Sequence, residues 1–194
     1  LVAEKFMFPK LKNVLTVNDS IASIYEKKYK VKVHVVRNIP FLHPLPPTQK
    51  NSPFTLILQG AGINMDRGAE ELVDAMELLD DVVLKIVGNG DVIPNLKNRV
   101  AHKNLSNKII FVDKCSPEEL RKITASCHVG LSLDKDTNPN YKYSLPNKLF
   151  DYIHAEIPVI ASDLIEIKNI IHKHQVGLIV QSVTPTAIAQ QVKY

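Results

Sequence analysis

Residues 54–79 read FTLILQGAGINMDRGAEELVDAMELL, and residues 82–90 follow as VVLKIVGNG. Each stretch begins with a run of apolar residues and carries that run into a glycine. Between the runs, Arg67–Leu79 sets Leu72, Val73, Met76 and Leu79 at helical spacing. A strand apolar on both faces, a glycine loop, an amphipathic helix and a second such strand describe a βαβ unit. Strands of this kind belong in a parallel sheet covered by helices on both sides.

The same pattern continues outward in both directions. Further strands are predicted at 13–18, 33–36, 108–112, 128–133, 157–162 and 177–180. Asn18 or Asp19 opens the helix SIASIYEKKY, and Val92–Val100 forms another. Ser116, Pro117 and Glu119 supply an N-cap, a first-turn proline and a capping-box acid. The stretch SLPNKLFDYIHAEIPVIASD (144–163) predicts a short helix capped by Ser144 with Pro146 in its first turn. A corner at Glu156–Ile157–Pro158 then leads into a strand. Alternation at this spacing implies a doubly wound, Rossmann-like α/β fold with a parallel sheet and right-handed crossovers.

One stretch breaks the rhythm. RNIPFLHPLPPTQKNSPF (37–54) holds Pro40, Pro44, Pro46, Pro47 and Pro53 and few apolar anchors, as a semi-rigid linker does. The expected organisation is therefore 1–36 as one packing unit, 37–53 as the linker and 54–194 as the main domain. The opening LVAEKFMFPK lacks a start methionine and enters inside a helical pattern, which reads as a piece of a longer protein.

Composition sets limits on function. The 194 residues are 45% hydrophobic and 23% charged, enough to bury a full core without staples. A net charge of +4, evenly spread, argues against nucleic acid as a partner. Cys115 and Cys127 have no metal-ligand spacing and read as free thiols in a reducing, cytoplasmic setting. No apolar run reaches the ~20 residues of a membrane span. The seven histidines are scattered, with His172 and His174 on a solvated basic segment, and no metal set or nucleophile–base pair can be assembled.

Ligands of open α/β sheets bind at the carboxyl ends of the strands, so the strand-to-helix loops carry the candidates. The first is Gln59–Gly60–Ala61–Gly62, closing with Arg67–Gly68. Its glycines would let backbone approach a phosphate, with Arg67 opening the next helix beside it, or the loop is a tight turn beside a solvated arginine. The second is Gly88–Asn89–Gly90–Asp91, with Asp91 read as a structural N-cap. The dinucleotide fingerprint is incomplete at both loops, which argues against a Rossmann NAD site. The third is the helix start after Ser144, a natural place for an anion. There Asp151 lies one turn beyond Asn147, with Leu149, Phe150 and Ile153 free to face the core. Asp151 either accepts hydrogen bonds from sugar hydroxyls or is an acid favoured by the helix dipole.

Taken in order, QGAGINMDRGAEELVDAMELL (59–79), LKIVGNG (84–90), IIFVDKCSPEELRKI (109–123), DYIHAEIPVIASD (151–163) and IKNIIHKHQVGLIV (167–180) resemble the C-terminal, donor-binding half of GT-B glycosyltransferases. The likeness is strongest to the large family 4, also called group 1, of retaining enzymes. KLKNVLTVNDSIASIYEKKYKVKVHVVRNIP (10–40) is similar to the segment that joins the two domains of that fold.

The resemblance implies roles. Arg67 would bind the donor diphosphate and Asp151 the ribose hydroxyls. Gly60 and Gly62 would face the diphosphate and transferred sugar, with the backbone of Leu145, Asn147 and Lys148, and Leu149 beside them, cradling the phosphate or sugar. Gly88, Asn89, Phe111, Val112 and Asp113 would line the base pocket. Tyr143 stands where the family's motif has its first acid, and Tyr143 or Lys142 would contact the sugar instead. Asp151 is one methylene shorter than the usual Glu, Ala61 replaces a basic residue, and Glu156 stands where the corner has glycine.

The resemblance further implies a nucleoside-diphosphate-sugar donor as substrate, no cofactor and no metal. A glycan or lipid-linked acceptor would bind through an N-terminal domain, with the enzyme cytoplasmic or peripheral to the inner membrane face, in polysaccharide biosynthesis. A sugar-nucleotide 2-epimerase and a non-catalytic nucleotide-binding module are the rival readings of the same fold.

Overall fold

Strand β3 (Phe54–Gly60) lies at the centre of the molecule because Leu56, Ile57 and Leu58 are buried on both of its faces. The computed structural model describes residues 2–44, 50 and 53–194. β3 pairs in parallel with β4 (Val82–Gly88) from Phe54↔Val82 through Gly60↔Gly88. The full sheet adds β5 (Ile109–Val112), β6 (Val129–Ser132), β7 (Val159–Ser162) and β8 (Gly177–Val180) in the order β5-β4-β3-β6-β7-β8, with every pairing parallel. The chain winds outward from β3 to β5, then returns to the other side of β3 and winds out to β8. The order reverses between β3 and β6, which opens a crevice at the carboxyl ends of those strands.

Helices cover both faces. Leu72 and Val73 of α3 (Ala69–Ala75), Leu96 and Val100 of α4 (Ile93–His102) and Ile188 of α9 (Pro185–Lys193) join one buried cluster. Ala125 of α5 (Pro117–Ala125), Leu149 and Tyr152 of α7 (Asn147–His154), which follows the short α6 (Pro139–Lys142), and Ile167 of α8 (Ile165–His174) join the other. The doubly wound fold expected from the sequence is the fold observed.

Several boundaries differ from expectation. The helix expected from Arg67 starts at Ala69, because Gly68 caps it in the left-handed region at φ 74°. Past Ala75 it tightens into a 3-10 turn at Met76–Leu78, and Leu72, Val73, Met76 and Leu79 are all buried. Ser116 does cap α5, accepting from Glu119 N at 3.2 Å. Asp91 is not a cap: α4 begins after Val92, and the Asp91 amide donates to Asn64 Oδ1. Ser144 is not a cap either. Pro146 is the N-cap of α7 with extended backbone, and the buried Ser144 hydroxyl has no hydrogen-bond partner among the described residues.

Residues 2–36 fold around their own small cluster. Strands β1 (Val14–Thr16) and β2 (Val33–Val35) pair in parallel, joined by α2 (Asp19–Tyr29) after a Val2–Met7 helix, α1. Asn18 caps α2 by accepting from Ile21 N at 2.9 Å. Phe8 stacks on Tyr25 and Tyr29 beside Val14, Ala22 and Val33. This unit is nevertheless tied to the main domain. Buried Asn18 donates from Nδ2 to the Tyr143 carbonyl at 2.7 Å, and Ser20 N donates to buried Glu166 Oε1 at 2.9 Å. In the expected linker, 37–44 carry no helix or strand. Residues 45–49, 51 and 52, with Pro46 and Pro47, lie outside the described residues. Among the described residues no helix is long and apolar enough to cross a membrane.

Candidate functional site

A cleft of ≈ 530 Å³ opens where the sheet order reverses. Its floor is made by the ends of β3 and β4. There Ile63 N donates to the Asn89 carbonyl at 2.9 Å and Asn89 N to the Gly60 carbonyl at 3.3 Å, knitting the two loops together. Gly88, at φ 123°, permits this approach, since a Cβ there would overlap the Gly60 carbonyl oxygen. Gly60 and Gly62 differ. A Cβ at either would meet its nearest neighbours at 3.7 Å, an ordinary contact, so the fold does not require glycine at these positions. Their missing side chains instead leave room in the cleft they line.

On the opposite wall stands Asp151, one turn into α7 and partly buried. Gln59 Nε2 donates to Asp151 Oδ2 at 3.1 Å. Gln59 Oε1 accepts from Thr124 Oγ1 at 2.7 Å, and the Thr124 hydroxyl lies at the same distance from the Leu120 carbonyl. Gln59 and Thr124 are both buried. This chain fixes the amide orientation, so its N–H faces the carboxylate. Burial raises the Asp151 pKa above the ordinary carboxylate range; the Gln59 hydrogen bond and the His154 and Arg121 charges act against that rise.

The next residue, Tyr152, points the other way and is wholly buried. Its hydroxyl accepts from Gln59 N at 3.3 Å and reaches the Leu131 carbonyl at 3.1 Å, with Gly130 leaving room for the ring. Burial pushes the Tyr152 hydroxyl pKa far up, so it stays protonated. Tyr152 thus locks α7 to β3 and β6 and sets the position of Asp151 at the cleft wall.

Two cations and one carboxylate form the third part. Asp134, which follows β6 closely, is fully buried. Arg67 Nη1 donates to its Oδ1 at 3.3 Å, and Lys148 Nζ lies 3.7 Å from its Oδ2. Arg67 also lies over the Tyr141 ring, 4.7 Å from its centre. Burial lowers the Lys148 pKa, Asp134 opposes that shift and Arg67 adds to it. Lys148 sits in the first turn of α7, where the helix dipole favours negative charge nearby.

The structure brings Gly60, Gly62, Arg67, Gly88, Asn147, Lys148 and Asp151 to the cleft. It does not bring the others there. Asn89 ties the floor loops through its backbone, Phe111 packs against the first cluster beneath Lys97, and Val112 packs against the second. Asp113 is exposed, and the following Lys114 and Cys115 line the cleft in its place. Tyr143 offers its carbonyl to Asn18, Leu145 packs on the second cluster, and Leu149 is buried in it with its amide bonded to the Pro146 carbonyl. Phe150 and Ile153 are only half-buried, and the core face of α7 is carried by Leu149 and Tyr152.

Residues not singled out in advance also line the cleft: Thr124 and Arg121 of α5, and Pro40 and His43 of the proline-rich stretch. Both cysteines are free thiols, Cys127 buried and Cys115 partly so. Among the described residues no group of three or more His, Cys, Asp or Glu is placed to hold a metal ion.

A family model described as glycosyl transferases group 1 matches residues 53–194. No curated protein matches the chain. Among solved structures it is similar to the sucrose-phosphate synthase from Thermosynechococcus elongatus, with 19% identity, TM-score 0.78 and coverage of 99% of this chain and 51% of that one. It is also similar to a mutant of S. aureus TarM in complex with Fondaparinux, alpha-GlcNAc-glycerol and UDP, with 14% identity, TM-score 0.77 and coverage of 100% and 40%. Anabaena HepE in complex with UDP and glucose gives 12% identity, TM-score 0.72 and coverage of 97% and 55%. The likeness is one of fold. The chain spans between two fifths and just over half the length of these structures.

Proposed function

The chain belongs to the group 1 glycosyl transferases, and from that membership we propose that it is the donor-binding half of an enzyme that moves a sugar from a nucleoside diphosphate to an acceptor. The observation that carries the reading is the cleft itself. It has side-chain-free backbone at Gly60 and Gly62, cations at Arg67 and Lys148, and an oriented carboxylate at Asp151. Similar structures that hold UDP add support.

In this reading the diphosphate lies over Gly60–Gly62 beside Arg67, and the ribose hydroxyls donate to Asp151. The bond from the sugar's anomeric carbon to the diphosphate oxygen breaks, and the acceptor hydroxyl oxygen bonds to that carbon. The leaving diphosphate takes the acceptor's proton on the same face, which retains the anomeric configuration. Arg67 and Lys148 offset the negative charge that grows on the leaving group, with no metal needed for that task. The acceptor, a glycan or a lipid-linked sugar, would enter from a domain facing the cleft. The enzyme would work in the cytoplasm or at the inner membrane face.

Calorimetric titration with UDP, GDP, ADP and CDP tests the reading. One diphosphate should bind, and its sugar conjugate should compete for the same site. Binding of none at millimolar concentration, or of a diphosphate that its conjugate cannot displace, would contradict it.

A further inference from the structure

The first turn of α2 meets the main domain at two points. Asn18 is fully buried and uses both ends of its amide: Oδ1 accepts from Ile21 N at 2.9 Å, and Nδ2 donates to the Tyr143 carbonyl at 2.7 Å. With both ends satisfied the amide has one orientation. Two residues on, Ser20 N donates at 2.9 Å to Oε1 of buried Glu166, in the first turn of α8. That carboxylate lies at the positive end of the α2 dipole.

The Tyr143 carbonyl belongs to the C-cap of α6, and α6 is itself tied to the cleft. From it the Tyr141 ring lies against the Arg67 guanidinium, 4.7 Å from the ring centre. Ser144 N donates to the Tyr141 carbonyl at 3.0 Å, so little slack remains between α6 and Pro146, the N-cap of α7. Asn18 thus holds a segment whose one end stacks on Arg67 and whose other end sets the start of α7.

Resting on the donor reading above, we infer that Asn18 is a positioning residue for the donor cleft. Through the Tyr143 carbonyl it makes the placement of Arg67 and of the α7 start depend on how residues 2–36 sit against the main domain. Asn18 does not line the cleft and meets no ligand. Glu166 supplies the second point of attachment, which stops α2 from swinging about the first. A shift of the N-terminal unit therefore changes donor affinity, and bound donor in turn favours the seated unit.

The test uses the full chain and whichever of UDP, GDP, ADP and CDP it binds best. Asn18→Ser keeps a side-chain oxygen to cap α2 but is too short to reach the Tyr143 carbonyl. It should weaken the diphosphate roughly three- to tenfold, the range that one hydrogen bond between neutral groups supplies. Amide hydrogen exchange over 143–149 should quicken in the same variant. Where Asn18→Ser fails to fold, Asn18→Asp caps α2 and removes the same donor. Ala22→Gly is the comparison: it weakens α2 within its own cluster and leaves the Asn18 bond in place. Even with an equal or larger fall in unfolding midpoint, it should keep affinity within about twofold of the parent and leave exchange over 143–149 unchanged.

No loss of affinity in the Asn18 variant, or an equal loss in Ala22→Gly, would overturn the role of Asn18 and leave the donor reading intact. So would a loss of affinity with exchange over 143–149 unchanged. Failure of the parent protein to bind any of the four diphosphates would overturn both.

Discussion

Gln59 Nε2 donates to Asp151 Oδ2 across 3.1 Å, joining residues 92 positions apart in sequence. The Thr124 hydroxyl on the far side of the amide leaves Gln59 one orientation in which both its ends are satisfied. One oxygen of the Asp151 carboxylate is thereby occupied and the other is presented in a set direction.

Gln59→Met keeps the size of the side chain but removes the amide. It should cost about 1–2 kcal/mol of stability, since Asp151 loses a donor while Thr124 keeps the Leu120 carbonyl. Nucleoside-diphosphate affinity should fall roughly ten- to a hundredfold, the equivalent of one hydrogen bond to a charged group. Denaturant unfolding and calorimetry read the two effects separately.

Asp151→Asn should show opposite signs for stability and binding. The folded pKa of Asp151 is raised by burial, so between the ordinary carboxylate pKa and the raised value the native state keeps a proton that the unfolded chain has released. The wild type therefore loses stability as pH rises through that window, and carries the full penalty above it. Asparagine carries none. The variant should unfold at a higher temperature than wild type at neutral pH. The gap should close below the ordinary carboxylate range, while nucleotide affinity at neutral pH falls.

Two cleft glycines should respond differently to the same substitution. Gly88→Ala places a Cβ against the Gly60 carbonyl at a left-handed φ and should cost about 3 kcal/mol or more. Gly62→Ala meets only ordinary contacts and should leave the unfolding midpoint nearly unchanged. Gly62→Leu should fold too, but fill the cleft and abolish nucleotide binding. Circular dichroism melts beside a binding assay distinguish a scaffold glycine from a site glycine.

Tyr152→Phe leaves the Gln59 amide N–H buried without its hydroxyl partner and should cost about 1–3 kcal/mol. Because Tyr152 sets α7 against β3, binding should weaken as well, although the residue does not line the cleft.

The ends of β3, β4 and β8 are legible in the sequence because each apolar run is bounded by a glycine, a proline or an acid. Gly60, Gly62, Arg67 and Asp151 stand out because strand-end loops are where such folds hold ligands. The start of α7 is harder to read because Ser144, the apparent cap, sits two residues before the proline that serves as N-cap. Asp134 leaves a faint trace as an acid closing the apolar run HVGLSL. Gln59 leaves a similar one as the polar residue ending FTLIL. Thr124 leaves none. Its part in the site exists only because the strand order carries residues 59, 124 and 151 into one crevice.

The most direct test of donor binding is thermal unfolding with and without nucleoside diphosphates, for the wild type and Asp151→Ala side by side. Ligand at ten times its dissociation constant adds about 1.4 kcal/mol, or roughly 3–6 °C for a chain of this size. One diphosphate should raise the wild-type midpoint by that amount and leave the variant's nearly unmoved. No shift with any diphosphate at millimolar concentration, or an equal shift in both proteins, would contradict the account.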